Sequence, residues 1–152
     1  METVQNMHDK TINGLQDLIE INIDSAKGFE QAASTINEPR LNSLFKDASA
    51  QRAAFAVELK RFVASSGEKP KNDGTAKGAV HRWWLNVRGS IKDDNAHAVL
   101  SEAERGEDAI KARYEDVLKN NPGNPVSDVL HRQYASVKAM HDRVRDLRDA
   151  TA

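Results

Sequence analysis

The stretch NPVSDVLHRQYASVKAMHDRVRDLRD, residues 124–149, decides the fold. Asn124 is a favourable helix N-cap, and Pro125 suits the first helical position because no N–H is needed there. The side chains expected to face the core then follow at alternating spacings of four and three residues: Val126, Leu130, Gln133, Val137, Met140, Val144 and Leu147. This unbroken heptad spacing predicts a long amphipathic helix over 125–149.

Three earlier segments repeat apolar residues in the same way, and together they predict an all-α protein. The periodicity predicts helices over 4–36, 39–65 and 94–119, whereas the strict apolar–polar alternation typical of strands is nearly absent. Pro39 ends the first helix because proline disfavours helical geometry at the residue before it. The two helices around this turn are therefore expected to be antiparallel neighbours.

The connections predict how the helices are joined. The turns near 37–38 and 120–124 are short, whereas residues 66–93 form a long crossover that carries a predicted short helix. Two antiparallel hairpins joined by one long crossover have the connectivity of ferritin-like four-helix bundles. The sequence thus predicts a single four-helix-bundle domain of ferritin-like topology over residues 1–152.

Composition and charge argue against several classes of protein. The 152 residues include 22 Lys and Arg, 23 Asp and Glu and no Cys, with a formal net charge of −1. With charges this evenly balanced, the protein has no net electrostatic attraction to nucleic acid. Because it contains no Cys, it has no disulfide, thiolate nucleophile or cysteine-ligated metal. No apolar run approaches the ~18 residues of a membrane span. We therefore expect a cytoplasmic protein with no nucleic-acid or membrane partner.

Each predicted apolar stripe contains one polar residue near its midpoint: Asn22, Gln51, Glu107 and Gln133. Counted from the helix ends, these residues lie at similar heights, so they are expected to meet in one layer inside the bundle. One interpretation is a hydrogen-bonded layer that fixes the register of the helices, because buried amides can satisfy one another and a carboxylate. The alternative interpretation is a degenerate metal site.

A two-metal centre of the ferritin type does not fit this layer. Such centres use a Glu-x-x-His pair on each of two helices, and that spacing occurs nowhere in the chain. We therefore expect no cofactor. The alternative is iron or manganese, for which the candidate ligands are Glu104, Glu107 and His141, with help from Asp24 or Glu20.

The crossover carries a different candidate site. His81, Arg82 and Trp84 suggest a pocket for an anionic or aromatic small molecule, although large apolar side chains here can also pin the crossover against the bundle. The chain has no Gly-rich phosphate loop, no Gly-x-Ser-x-Gly elbow and no cysteine nucleophile. Hydrolase chemistry therefore has no positive support from the sequence, and a non-enzymatic protein is favoured while the question of an enzyme stays open.

Four segments carry a resemblance to a known family: LIEINIDS at 18–25, HRWW at 81–84, ERGED at 104–108 and HDRV at 141–144. Together they resemble a bacterial family of ferritin-like four-helix-bundle proteins of unknown function, over about residues 15–148. The resemblance implies a ferritin-like fold and no established activity.

These observations favour a bundle that acts without catalysis, by self-association or by binding another protein, with a stress response as a hypothetical setting. The alternative is an iron- or manganese-binding oxidase or storage protein with a degenerate ferritin-like site.

Overall fold

The structure is a computed structural model that describes residues 9–73, 89, 95–120 and 126–151. These residues contain four long α-helices and no strand: α1 (Asp9–Thr35), α2 (Pro39–Ser65), α3 (Ala96–Lys119) and α4 (Val126–Ala150). The all-α prediction is therefore confirmed for the described part of the chain. The predicted short helix and the pocket at His81, Arg82 and Trp84 lie outside the described residues.

Side-chain caps fix the beginnings of α2 and α3. The Glu38 carboxylate accepts a hydrogen bond from the Leu41 N–H at 2.8 Å, and Pro39 follows at the first helical position. The Asn95 side chain accepts from the Ala98 N–H at 3.0 Å. Each cap pairs one of the amide N–H groups that the first turn of a helix leaves without an intrahelical partner. The predicted helix over 94–119 accordingly begins at Ala96 in the structure.

The helices pack as two hairpins, α1 with α2 and α3 with α4, and the hairpins meet through α1–α3 and α2–α4 contacts. Residues 36–38 join α1 to α2, so these helices run antiparallel. α3 and α4 are also antiparallel, since Glu104 pairs with Arg148 while Tyr114 bonds to Gln133.

The direction of α3 relative to α1 determines where the hairpins are connected. α3 runs antiparallel to α1: Gly14 lies beside Val117 near the end of α3, and Phe29 shares a cluster with Leu100 near its beginning. A Cβ at Gly14 would lie 3.1 Å from both methyl groups of Val117, so glycine permits this close approach. It follows that α2 and α3 run parallel, and the end of α2 lies at the opposite end of the bundle from the beginning of α3.

The residues that follow α2 turn back along α1. Gly67 has a φ of 90°, a backbone conformation that glycine adopts without steric cost. The Gln16 side chain then donates to the Lys69 carbonyl at 2.9 Å and accepts from the Lys71 N–H at 2.9 Å. The Lys71 ammonium pairs with Glu20, one turn further along α1. Residues 69–71 therefore proceed in the same direction as α1.

The core consists of two apolar clusters, one toward each end of the bundle. The first contains these buried side chains: Leu15, Leu18, Ile19, Ile21, Phe55, Leu59, Val63, Ile110, Tyr114, Val117, Val126, Leu130 and Val137. The second contains these: Phe29, Ala32, Ala33, Leu41, Leu44, Phe45, Ala48, Val99, Leu100, Ala103, Met140 and Val144. On α1, α2 and α3 the two clusters are separated by a short interval that carries polar side chains.

None of the described helices combines the length and the apolar character that crossing a membrane requires.

Candidate functional site

Polar side chains from all four helices meet in the interval between the two apolar clusters and at the adjoining level of the first cluster. We call them the polar belt: Asn22, Ser25, Arg52, Glu58, Glu107, Tyr114 and Gln133. The belt has two parts at adjacent heights, one centred on Arg52 and the other on Tyr114. Such a belt is stable only when its polar groups are paired, because an unpaired polar group away from water costs about 1–3 kcal/mol.

Arg52 and Glu107 form the ionic part of the belt. Both side chains are 0% exposed, and the two guanidinium Nη atoms donate to the two carboxylate oxygens at 2.6 Å each. The guanidinium also donates to Ser25 Oγ at 3.3 Å and to Gln51 Oε1 at 3.1 Å. It lies 5.8 Å from the centre of the Phe29 ring, within the range of a cation–π contact. This bidentate pair neutralises both buried charges.

Tyr114 links α1, α3 and α4 in the other part of the belt. Its hydroxyl accepts from Asn22 Nδ2 at 2.9 Å and donates to Gln133 Oε1 at 2.7 Å. Gln133 Nε2 in turn donates to Glu58 Oε1 at 2.8 Å, and Glu58 also pairs with Arg132. The chain of hydrogen bonds thus leads from the centre of the bundle to its surface.

Burial raises the pKa of the Tyr114 phenol well above its usual range. The hydrogen bond from Asn22 and the positive charge of Arg52 act in the opposite direction, because both favour the phenolate, but desolvation outweighs them. Tyr114 is therefore a neutral structural hydrogen-bonding group.

The structure brings together three of the four residues predicted for the polar layer, but in a different arrangement. Asn22, Glu107 and Gln133 are all 0% exposed. Gln51 is only half-buried, and its neighbour Arg52 occupies the interior position. Asn22 and Gln133 are joined through Tyr114, whereas Glu107 and Gln51 are joined through Arg52.

The residues of the belt do not fit a two-metal centre. Glu107 is the one fully buried carboxylate among the described residues, and Arg52 occupies both of its oxygens. A pair of divalent ions requires several carboxylates for charge balance, and here a fixed cation already stands beside Glu107. The candidate ligand Glu107 is therefore committed to an ion pair in this structure.

A second polar group lies off the bundle axis, between α3 and α4. We call Glu104, Asp108 and His141 the acid–histidine cluster. One side-chain ligand atom from each lies within 4.8 Å of the other two. His141 Nε2 contacts Asp108 Oδ1 at 2.7 Å, and His141 Nδ1 contacts Asp142 Oδ1 at 3.0 Å. The cluster contains two of the predicted ligands, Glu104 and His141, with Asp108 in the place expected for Glu107.

Neighbouring charges shape this cluster. Glu104 Oε1 accepts from Arg148 Nη1 at 2.5 Å, whereas Glu104 Oε2 is buried and has no hydrogen-bond partner among the described residues. The hydrogen bond from His141 lowers the pKa of the Asp142 carboxyl, with further help from Lys138 and Arg145. Asp142 is therefore a carboxylate near neutral pH and orients the imidazole of His141.

The two remaining candidate ligands lie on α1 and outside the acid–histidine cluster. Glu20 pairs with Lys71 on the segment after α2. Asp24 is largely buried, at 8% exposure, and it also has an interaction partner. Neither belongs to the group of ligand atoms around His141.

A family model described as a domain of unknown function, DUF2383, matches residues 10–120. The chain belongs to the DUF2383 family. No curated protein matches the chain at a significant level. The DUF2383 match confirms the expectation of a family without known function.

The matched residues cover α1, α2 and α3 and end before α4 begins. The Arg52–Glu107 pair and the Asn22–Tyr114 bond thus lie within the DUF2383 region. The acid–histidine cluster combines residues of both parts, because Glu104 and Asp108 are inside the match and His141 is beyond it. The belt is therefore mainly a feature of the DUF2383 region, whereas the cluster also needs α4.

Proposed function

We propose that this DUF2383 protein is a four-helix bundle of ferritin-like topology that acts by self-association, through the outer face of α2, and not by catalysis in its interior. The observation that carries this proposal is a row of small apolar side chains on the outer face of α2, flanked by opposite charges that have no ion-pair partner among the described residues.

The helix directions support the ferritin-like topology. α1 and α4 run one way, whereas α2 and α3 run the other way, so the end of α2 and the beginning of α3 lie at opposite ends of the bundle. Residues 69–71, which follow α2, run along α1 in the direction of the beginning of α3. One long crossover between two hairpins distinguishes ferritin-like bundles from bundles in which every connection is short.

The pairing of polar groups within the belt supports a function outside the interior, and only the buried Asn22 Oδ1 of the belt has no hydrogen-bond partner among the described residues. The belt's only fully buried charges neutralise each other, and its amides and phenol bond to one another. A catalytic interior needs a reactive group that a substrate can reach. The belt instead has the properties of a layer that fixes how the helices align.

The outer face of α2 has the properties of a helix-pairing surface. Its exposed positions follow the heptad spacing of a helical seam: Ser43, Asp47, Ala50, Ala54, Val57, Arg61 and Ala64. Val57 is 49% exposed, and it is the one large hydrophobic side chain that is exposed among the described residues. Small side chains at the centre of such a seam let a second helix approach closely.

The charges on this face favour a second copy of the chain as the partner. Asp47 and Arg61 lie equally far from Ala54, on opposite sides of it, and neither has an ion pair within the described chain. Two copies packed antiparallel across a two-fold axis at Ala54 would place each Asp47 opposite an Arg61. A self-complementary patch of this kind is what a symmetric dimer requires.

The test is the mass of the protein in solution. We expect a dimer that dissociates on dilution, measured by sedimentation velocity, and we expect Ala54→Glu to produce a monomer because it places two like charges at the axis. The matched control is Ala112→Glu, which changes an exposed alanine on α3. A wild-type chain that is monomeric at every concentration, or a dimer that Ala54→Glu leaves intact, would contradict self-association through α2. The cytoplasmic location and the link to stress stay predictions.

A further inference from the structure

The acid–histidine cluster is independent of the α2 face and of the polar belt. From its geometry we infer that Glu104, Asp108 and His141 form a binding site for one divalent first-row transition-metal ion at the junction of α3 and α4. Such an ion is bound by two carboxylates and one imidazole, and water completes its coordination.

The donor atoms have the chemistry and the spacing that such an ion requires. Carboxylate oxygens and an imidazole nitrogen together suit Mn²⁺, Fe²⁺, Co²⁺ and Zn²⁺ better than Mg²⁺ or Ca²⁺, which take oxygen ligands. The three ligand atoms lie within 4.8 Å of one another. Ligands about 2.1 Å from a common ion are about 3–4 Å apart, so binding requires the 2.7 Å contact between His141 Nε2 and Asp108 Oδ1 to open slightly and the more widely spaced ligand atoms to move closer.

The imidazole of His141 is already oriented for this role. Its Nδ1 contacts the Asp142 carboxylate at 3.0 Å, which directs Nε2 toward Asp108. Histidines that bind metals commonly bond to a carboxylate through their other ring nitrogen, because this fixes the tautomer and the ring orientation. His141 is also 8% exposed, so packing restricts its movement. When the ion binds between Nε2 and Asp108, their direct contact opens, and any proton that Nε2 carried passes to solvent.

A second observation points to a missing ligand at this place. Glu104 Oε2 is buried and unpaired among the described residues, although Arg148 holds the other oxygen of the same carboxylate. An ionised oxygen without a partner is unfavourable away from water, and a bound cation would pair it. The Asp108 side chain is 58% exposed, so the cluster is open to solvent on that side and an ion can enter.

The cations near the cluster do not occupy all of its carboxylate oxygens. Glu104, Asp108 and Asp142 contribute three carboxylates around His141, whereas Arg148, Arg145 and Lys138 supply the nearby positive charges. Arg148 contacts one oxygen of Glu104, and Arg145 contacts Asp142. Both carboxylates that would bind the ion directly therefore retain at least one oxygen that no arginine occupies.

Titration with Co²⁺ alone tests the site, since Co²⁺ bound through a nitrogen ligand gives visible absorption bands that depend on its coordination. The chain of 152 residues is used without a histidine tag, and Zn²⁺ competition reports the relative affinity. We expect saturation at one ion per chain. His141→Gln and Asp108→Asn are each expected to weaken Co²⁺ binding by about tenfold or more, as the loss of a ligand does.

Two control variants separate this site from scattered surface binding. His131→Gln removes an exposed histidine on the same helix, and Asp116→Asn removes an exposed carboxylate on α3. Both should bind Co²⁺ as the wild type does. Asp108 is exposed, so Asp108→Asn keeps the fold, and circular dichroism verifies this for each variant. No saturable binding by the wild type, or binding that neither His141→Gln nor Asp108→Asn reduces, would overturn the site.

Discussion

Arg52 and Glu107 show what a fully buried ion pair implies for stability. The two side chains lie at the centre of the bundle and satisfy each other with two hydrogen bonds of 2.6 Å. Removing one partner leaves the other charge buried without compensation, which costs about 3–5 kcal/mol. We therefore expect Glu107→Leu alone, and Arg52→Met alone, to lower the free energy of unfolding by about this amount.

The double variant distinguishes a stabilising pair from a pair that mainly determines how the helices align. Apolar side chains of similar size at both positions remove both desolvation costs, so the double variant should recover most of the loss. Urea unfolding of the four proteins gives the coupling energy. Arg105→Gln, which breaks an exposed pair with Glu102, is the control and should change stability by less than about 1 kcal/mol. Additive losses in the double variant would show that the two charges are not coupled.

Tyr114 predicts how stability depends on alkaline pH. Burial raises the pKa of its phenol in the folded chain, whereas a tyrosine in the unfolded chain ionises near pH 10. Above about pH 10 the unfolded chain therefore binds fewer protons, and the free energy of unfolding falls as the pH rises, by about 1.4 kcal/mol per pH unit for this group. The stabilising contribution of the neutral Tyr114 is fully present below about pH 10, and it is lost as the pH rises toward the raised pKa of the folded chain.

The measurement compares the wild type with Tyr114→Phe. The substitution is destabilising at every pH because Asn22 and Gln133 lose a partner. Between pH 9 and pH 11, however, the variant should lose about 1 kcal/mol less stability than the wild type in urea unfolding. Tyr134 titrates in both proteins and so cancels in the comparison. Equal losses in the two proteins would mean that Tyr114 is not protected from ionisation by the fold.

At the scale of single residues, the sequence predicted which regions would be polar more accurately than which side chain would point inward. A helical stripe alternates between spacings of three and four residues, so both Gln51 and Arg52 are compatible with the stripe on α2. The same ambiguity applies to Glu107 and Asp108, of which the first faces the belt and the second faces His141. From the sequence, Arg52 beside Gln51 was a possible partner that could neutralise Glu107 within the layer, and the structure pairs Arg52 with Glu107 in the interior.

Tyr114 follows the helical spacing of the apolar residues Ile110 and Val117 on α3, and it belongs with them to the first apolar cluster. Its hydroxyl nevertheless joins the belt, and Glu58 extends the belt to the surface. A phenol has both an apolar ring and a polar end, and periodicity reports only the burial of the ring. The signal available in the sequence was that a buried tyrosine hydroxyl needs a polar partner.

At the scale of elements, the cap of α3 is open to a direct test. The Asn95 side chain accepts a hydrogen bond from the Ala98 N–H at 3.0 Å. Asn95→Ala removes this acceptor and should lower the free energy of unfolding by about 1 kcal/mol. Asn95→Ser keeps a side-chain oxygen that can accept the hydrogen bond, so it should retain most of the stability that the cap provides. Urea unfolding measures both, and an Ala variant as stable as the Ser variant would show that the cap has no net effect.

The helices themselves were predictable because their signals are local. Periodicity extends over many residues in each helix, and Pro39 marks the beginning of α2. Side-chain positions in the polar belt and the acid–histidine cluster depend on how two or more helices rotate against each other. No local sequence signal determines that rotation, which explains why three of the four layer residues were identified but the contacts among them were not.

At the scale of the whole molecule, the belt divides the core into two apolar clusters. Apolar contacts alone tolerate a shift of one helix along another, because one methyl group can replace the next. A bidentate ion pair and a chain of hydrogen bonds do not tolerate such a shift, since a shift of one turn, about 5.4 Å, would break them. The belt therefore selects a single alignment of the four helices, and this alignment fixes which residues form the outer face of α2.

The two-fold pairing of α2 predicts that two charge reversals compensate each other. Asp47→Arg places like charges opposite each other twice in the dimer, and so does Arg61→Asp. Each variant should raise the dimer Kd by about tenfold, since an exposed ion pair contributes up to about 1 kcal/mol and repulsion adds to its loss. The double variant restores opposite charges at both positions and should recover most of the affinity in sedimentation experiments. Asp116→Arg, on α3, provides the control for net charge. A double variant that binds no better than either single one would exclude the antiparallel arrangement about Ala54, because only that arrangement brings position 47 of each copy to position 61 of the other.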